Sequence, residues 1–436
     1  MSADSAAVTS APAAASDLGA IDRVYVLLLL LLVYISNYAD RILLGILLPS
    51  IKAEFHLTDL QLGFLHGTAF AIFYATLGIP IAIYADRGNR KAVIVAATAI
   101  WSIMTAVCGL AQNFVQLVIA RIGVGVGEAG SNPPSHAIIS DLFTIKYRGT
   151  ALAIFSQGVS LGIVAGLYGG AQIAAAYGWR YAFFALAVPG LVIALLVAMT
   201  MIEPRRGAAD GHVFEGKPPS FSKTLRFMFS QPALVHLMMG GTLTTIVGYS
   251  GVLWWPSFIM RSHGLSPAEM SGFLALVFGV GSGLGIFLGG IIADYFGRRN
   301  VNLIPRVVAA AILFGLPFGA AVYLVEDSAL VFAIIGIPAA AGGAYLGPSM
   351  ALVQSLVGVR MRTVASAFFL FVLNLIGMGA GSALIGALSD ALTPRYGADA
   401  LRYTLLIVMV FNLWAAYHYW RAGAYVADGL KRAQEV

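Results

Sequence analysis

Apolar residues run along this chain in long stretches, separated by short polar joints. A helix needs roughly 20 such residues to cross the hydrocarbon of a bilayer. Twelve stretches qualify, near 24–49, 60–85, 91–112, 114–139, 148–175, 180–202, 231–260, 268–293, 302–325, 329–356, 363–389 and 400–424. Backbone groups in lipid have no water to bond, so each stretch must satisfy its own hydrogen bonds as a helix. The pattern predicts an all-α membrane protein with twelve transmembrane helices.

Composition agrees. Hydrophobic residues make up 59% of the 436 and charged residues 11%, too little charge to cover a soluble surface of this size. The net charge of +6 raises the question of nucleic acid, but the basic residues sit in short joints between apolar runs, so no nucleic-acid role is expected. Fifteen Lys and Arg fall in the joints on the side of the two termini. Only Lys52, Arg180, Arg261, Arg395 and Arg402 fall in the joints on the other side. That bias places both termini in the cytoplasm, and a bacterial inner membrane is the expected location. The Ala- and Ser-rich start has no basic segment and is read as a tail rather than a leader. Cys108 is alone and carries neither a disulfide nor a metal pattern.

The longest polar stretch runs from Glu203 to Ser230 and divides the chain in two. The expected organisation is a disordered tail at 1–22, a six-helix bundle at 23–203, a cytoplasmic linker at 204–229, a second six-helix bundle at 230–425 and a tail at 426–436. The halves repeat. Asp86-Arg87-Gly-Asn-Arg90-Lys91 follows span 2, and Asp294-Tyr-Phe-Gly297-Arg298-Arg299 follows span 8, with the aspartates 208 positions apart. The capping boxes Thr58-x-x-Gln61 and Ser266-x-x-Glu269 are also 208 apart. Arg148 and Arg362 each open an Arg-x-x-Ala-x-Ala run. Three matched landmarks argue for duplication and a pseudo-twofold axis, with a solute site between the halves.

These segments resemble the major facilitator superfamily over essentially the whole chain. Asp86 to Lys91 is similar to the signature after span 2, with Ala82 and Asn89 where glycines are usual. The copy at 290–299 fits better. Arg121-x-x-x-Gly125 resembles the second family motif, and Gly178-Trp179-Arg180 the entry to span 6. Asn37-Tyr38-Ala39-Asp40-Arg41, Gly127-Glu128-Ala129 and Glu203-Pro204-Arg205-Arg206-Gly207 resemble the spinster branch. That branch is associated with export of sphingoid phosphates and lysophospholipids, so the resemblance implies a lipid-like amphipathic solute.

Four ionisable residues lie deep in spans: Asp40, Arg41, Arg121 and Glu128. Such groups are costly in lipid, and a functional role is the default expectation. Arg121 and Glu128 are seven residues apart, about 10 Å along one helix face. Asp40 and Glu128 are the candidate proton sites, because burial and a neighbouring guanidinium act oppositely on a carboxyl. Arg41 and Arg121 are candidates for an anionic head group, which a guanidinium grips bidentately. The structural alternative is a set of ion pairs that locks span 1 to span 4. Asp86, Arg87, Arg90, Asp141, Arg148, Asp294 and Arg298, near the inner ends, are candidates for a conformational latch.

Tyr38, His66, Phe70, Tyr74, Trp254, Trp255, Phe368 and Asn374 are candidate pocket residues. Trp254-Trp255-Pro256 offers a point where span 7 can break and form a gate. Gly125-x-Gly127-x-x-Gly130 matches a dinucleotide fingerprint but lies in a membrane run, so it is read as helix packing. The Gly158, Gly162, Gly166, Gly169 and Gly170 series is read the same way. His236 and His263 are taken as loop or interface groups, and no metal or cofactor is expected. No nucleophile–base set points to an enzyme. The reading is a monomeric secondary active transporter working by alternating access on a lysophospholipid or sphingoid phosphate, coupled to protons. A facilitator or antiporter of another organic anion or drug, and a lipid scramblase, are the alternatives.

Overall fold

A computed structural model describes residues 19–143, 145–204, 220–358 and 361–434. Among these residues the chain is helical throughout, in the twelve-span, two-half arrangement expected. Span 1 is Ala20–Phe55, longer at both ends than its apolar core. It ends where His56 takes a left-handed φ of 54° and returns its N–H to the Lys52 carbonyl. Span 2 covers 59–87, span 3 Arg90–Leu110, span 4 Phe114–Leu142, span 5 145–177 and span 6 Trp179–Thr200. Spans 7 to 10 are Pro232–His263, Pro267–Gly297, Leu303–Leu324 and Ser328–Ser355, span 11 covers 362–396, and span 12 covers 400–422.

Both capping boxes form. Thr58 and Gln61 exchange hydrogen bonds of 2.9 and 3.2 Å, and Ser266 and Glu269 exchange bonds of 2.8 and 3.4 Å. These side chains take up N–H groups that the first helical turn leaves free. Span 7 does not break at Trp254-Trp255-Pro256: Pro232–His263 is one helix. Pro256 removes only the bond to the Val252 carbonyl, and span 1 comes close there, at Gly45.

The stretch read as linker contains the helix Phe221–Ser230, started by Ser220 accepting from Lys223 N–H; residues 205–219 lie outside the described residues. The terminal stretch read as a tail holds the helix Val426–Gln434, with Val426, Gly429 and Ala433 buried. Residues 1–18 lie outside the described residues, and span 1 already starts at Ala20.

Spans 2, 5, 8 and 11 each contain a π-helical turn, at Phe64–Thr68, Ala165–Gly169, Val277–Gly281 and Leu373–Ala380. Such turns displace side chains and often mark functional positions. These turns meet across the two halves. Thr68 Oγ1 donates to the Gly379 carbonyl at 2.8 Å, and a Cβ on Gly279 would lie 3.2 Å from Val164 just before the span 5 turn.

Small residues set the spacing within the first half. Cβ atoms on Gly158, Gly162, Gly166 and Gly170 would collide with Tyr34, Tyr38, Ala39 and Leu43 of span 1. Gly169 faces nothing within 4 Å. Gly125 and Gly127 are pressed against Phe70 and Trp101 in the same manner, so the fingerprint-like glycines serve close packing of span 4.

Candidate functional site

The four deep charges lie together, all buried, between spans 1 and 4. Arg41 donates from Nε and Nη2 to the same oxygen of Glu128, at 3.1 and 2.7 Å. It also donates to Asn37 Oδ1 at 3.4 Å. Glu128 Oε1 has no hydrogen-bond partner among the described residues. The guanidinium carbon lies 4.9, 4.9 and 4.8 Å from the ring centroids of Tyr38, Phe70 and Tyr74, an aromatic cage suited to a cation. Phe70 also lies 5.5 Å from Arg121, so one ring is shared by two cations.

Asp40 and Arg121 make no ion pair among the described residues. Neither Asp40 oxygen has a hydrogen bond among the described residues, and Nε and Nη2 of Arg121 have none either. The Thr105 hydroxyl is beside Asp40 but is also without a hydrogen bond. His66, buried in the π-helical turn of span 2, has no hydrogen-bond partner among the described residues on either ring nitrogen. Buried polar groups in proteins are almost always satisfied. A concentration of unsatisfied ones in spans 1 to 4 marks a place where a proton, a solute or a rearrangement completes the bonding.

A cavity of ≈ 260 Å³ lies next to Tyr38 and Ile42, the neighbours of this cluster on span 1, largely within the second half. Tyr38, Ile42, Val159 and Ile163 come from the first half, and spans 7, 8, 9, 10 and 12 supply the rest. No described residue lining it carries a formal charge. Charge and apolar volume are thus divided between the halves, and Tyr38 belongs to both the cage and the cavity wall.

The other pocket candidates separate. Trp255 lines the cavity and donates from Nε1 to Tyr323 OH at 2.8 Å. Trp254 is buried away from it with Nε1 unpartnered. Phe368 sits against Phe221 and Phe229 of the linker helix. Asn374 bonds back to the Leu370 carbonyl within span 11. His236 pairs with His418 at 2.8 Å, and His263 lies 3.2 Å from the Ser328 hydroxyl.

Of the latch candidates, Arg90 bonds Asp141 at 2.5 Å and Glu203 at 3.3 Å. Glu203 also accepts the backbone N–H groups of Arg90 and Lys91 at the start of span 3. This cluster ties spans 3, 4 and 6 within one half. Asp294 and Arg298 are exposed and make no ion pair among the described residues. The side chains of Asp86, Arg87 and Arg148 lie outside the described residues.

A second polar cluster, which sequence reasoning missed, joins the halves at the face opposite the termini. Asp59, buried, bonds Lys52 Nζ at 2.5 Å, Arg261 at 2.6 and 2.7 Å and the Ser389 hydroxyl at 2.6 Å. Asp390 of span 11 accepts the N–H groups of Asp59 and Leu60, both at 2.8 Å, and so caps span 2 from the other half. The backbones are nearly touching: a Cβ on Gly386 would run into the Asp59 carbonyl, and one on Gly67 would reach the Met378 carbonyl at 2.7 Å. The small residues of spans 2 and 11 were the available signal.

The family model described as Major Facilitator Superfamily matches residues 30–382. An MFS-type efflux pump of Mycolicibacterium smegmatis is 34% identical over 407 residues, covering 93% of this chain and 94% of that protein. Protein spinster homolog 1 of Mus musculus is 28% identical over 439 residues, covering 94% of this chain and 82% of that protein. A crystal structure of a bacterial homologue of the human lysosomal transporter spinster, inward-facing and unoccupied, superposes with a TM-score of 0.86 at 30% identity. That match covers 94% of this chain and 99% of the other.

Proposed function

The chain belongs to the major facilitator superfamily, whose members are transporters rather than enzymes, and from that premise we propose that it moves a single-chain amphipathic anion together with a proton by alternating access. The observation that carries the proposal is the division of the site: a caged Arg41–Glu128 pair on one side and an uncharged cavity on the other. An apolar tail fits the second half, and an acidic head group is within reach of the guanidinium.

Charge balance supplies the coupling. Asp40 and Glu128 balance Arg41 and Arg121 when all four are ionised. An incoming anion competes with Glu128 for Arg41 and adds a negative charge where water is excluded, which is costly. Protonation of Glu128 removes both obstacles at once. Arg41 is released to the head group, and the total charge is unchanged. Asp40, which holds no salt bridge, is the second proton site. By linkage, protons tighten anion binding by the same factor that the anion tightens proton binding.

Alternating access needs one face to close while the other opens. The Asp59–Arg261–Asp390 cluster acts as the closure of the face opposite the termini, which the charge bias makes the outer face. All of its bonds between halves must break for that face to open. The Arg90–Asp141–Glu203 cluster keeps the first half rigid during the motion.

The cavity volume of ≈ 260 Å³ lies below the roughly 300–1,000 Å³ usual for drug-sized ligands, so a solute with a long acyl chain requires the cavity to open further between the halves. The test is uptake of a labelled lysophospholipid and a labelled sphingoid phosphate into proteoliposomes. Saturable flux of either supports the lipid reading. Flux of small organic anions with neither lipid moving shifts the solute class and leaves the coupling scheme in place.

A further inference from the structure

The cavity wall in the second half has a fixed hydrogen-bond polarity. Thr245 of span 7 donates its single hydroxyl hydrogen to the Gly241 carbonyl at 2.7 Å. Its oxygen is also 2.9 Å from the hydroxyl of Tyr345 in span 10. A threonine hydroxyl has one hydrogen to give, so the hydrogen in the second bond comes from Tyr345. Tyr345 lines the cavity, and with its own hydrogen committed its phenolic oxygen has only a lone pair left to offer. Tyr345 has no other hydrogen bond from a described residue.

From this arrangement we infer that Tyr345, oriented by Thr245, is an acceptor subsite selecting solutes that carry a hydrogen-bond donor, an ammonium or a hydroxyl, beside the anionic head group. The inference rests on the amphipathic-anion reading and narrows it. Tyr38, Thr244, Tyr249, Ser282 and Asn412 also line the cavity and bring polar groups of their own. Trp255 donates to Tyr323, and most of the wall is aliphatic, aromatic or glycine. In an apolar pocket a few placed polar groups decide orientation and specificity. A missing donor leaves the acceptor desolvated and unpaired, which is why such sites discriminate.

The experiment compares two ligands of equal chain length in binding to the purified full-length protein. One is a sphingoid phosphate, which carries an ammonium and a hydroxyl. The other is an unbranched alkyl phosphate, which carries neither. Wild type is expected to prefer the sphingoid phosphate about tenfold. Tyr345→Phe should bring that ratio close to one while alkyl phosphate affinity stays unchanged. Thr245→Val releases the Tyr345 hydrogen, lets the hydroxyl donate as well as accept, and should narrow the ratio with the protein intact. Equal losses for both ligands in Tyr345→Phe would mean a packing role and overturn the subsite. An unchanged ratio would overturn it as well, with the amphipathic-anion reading still standing. Failure of both ligands to bind wild type would overturn that reading and the subsite with it.

Discussion

Arg41 directs two of its guanidinium nitrogens at a single oxygen of Glu128, 3.1 and 2.7 Å away, and the other carboxyl oxygen is left without a hydrogen bond. An ion pair built only for stability would be expected to use both oxygens in a bidentate fork. The one-sided geometry leaves the pair half-satisfied and able to exchange.

Removing Glu128 and neutralising it should therefore differ. Glu128→Ala leaves Arg41 buried without its counter-ion, a change that costs about 3–5 kcal/mol in buried pairs, and should lower the melting temperature in detergent. Glu128→Gln keeps an oxygen facing Arg41 and should fold like wild type. Differential scanning fluorimetry of the two variants checks the contrast.

Asp40 makes no ion pair or hydrogen bond among the described residues, so Asp40→Asn should cost less stability than Glu128→Ala and reduce gradient-driven flux. Counterflow exchange with no gradient should persist. Loss of exchange together with driven flux would place Asp40 in solute binding or folding instead of coupling.

The Asp59 cluster makes a conformational prediction. Asp390→Asn weakens the cap on span 2, and Arg261→Gln removes two bonds to Asp59. Both should populate states open at the face opposite the termini. The lone native thiol, Cys108, is buried, so spin labels placed on the outer ends of spans 2 and 11 report without interference. The distance distribution should gain a longer component in each variant.

Gly386→Ala tests the same closure without touching a charge. Its Cβ has no room against the Asp59 carbonyl, and backbone contacts of this kind do not yield cheaply. The same longer distance should appear, and it should not respond to salt. A salt-sensitive shift would point to rearranged charges rather than steric separation.

The spans, the duplicated halves and the capping boxes at Thr58 and Ser266 were legible because each depends on local pattern. The buried charges were legible too, since an ionisable residue in an apolar run stands out wherever it lies. Ion pairing between spans 1 and 4 was the structural alternative, and Arg41–Glu128 is such a pair; which of the four residues pair was not legible. The outer cluster escaped because Lys52, Asp59, Arg261 and Asp390 sit at span ends, where charge is ordinary. Only the approach of spans 2 and 11 buries Asp59. Pro256, read as a point where span 7 can break, leaves the helix continuous because one missing hydrogen bond does not interrupt a helix supported on several sides. Hydrogen-bond direction at Tyr345 needs coordinates, because it follows from what Thr245 already bonds.

The most direct test of the coupling scheme is the affinity of a labelled sphingoid phosphate for wild type and Glu128→Gln, measured across a pH series. The account predicts binding that tightens as pH falls in wild type, and binding in Glu128→Gln that is already tighter at high pH and changes less over the same range, with only the Asp40 contribution left. A mutant that keeps the wild-type pH dependence, or that cannot bind the ligand while folding normally, would contradict it.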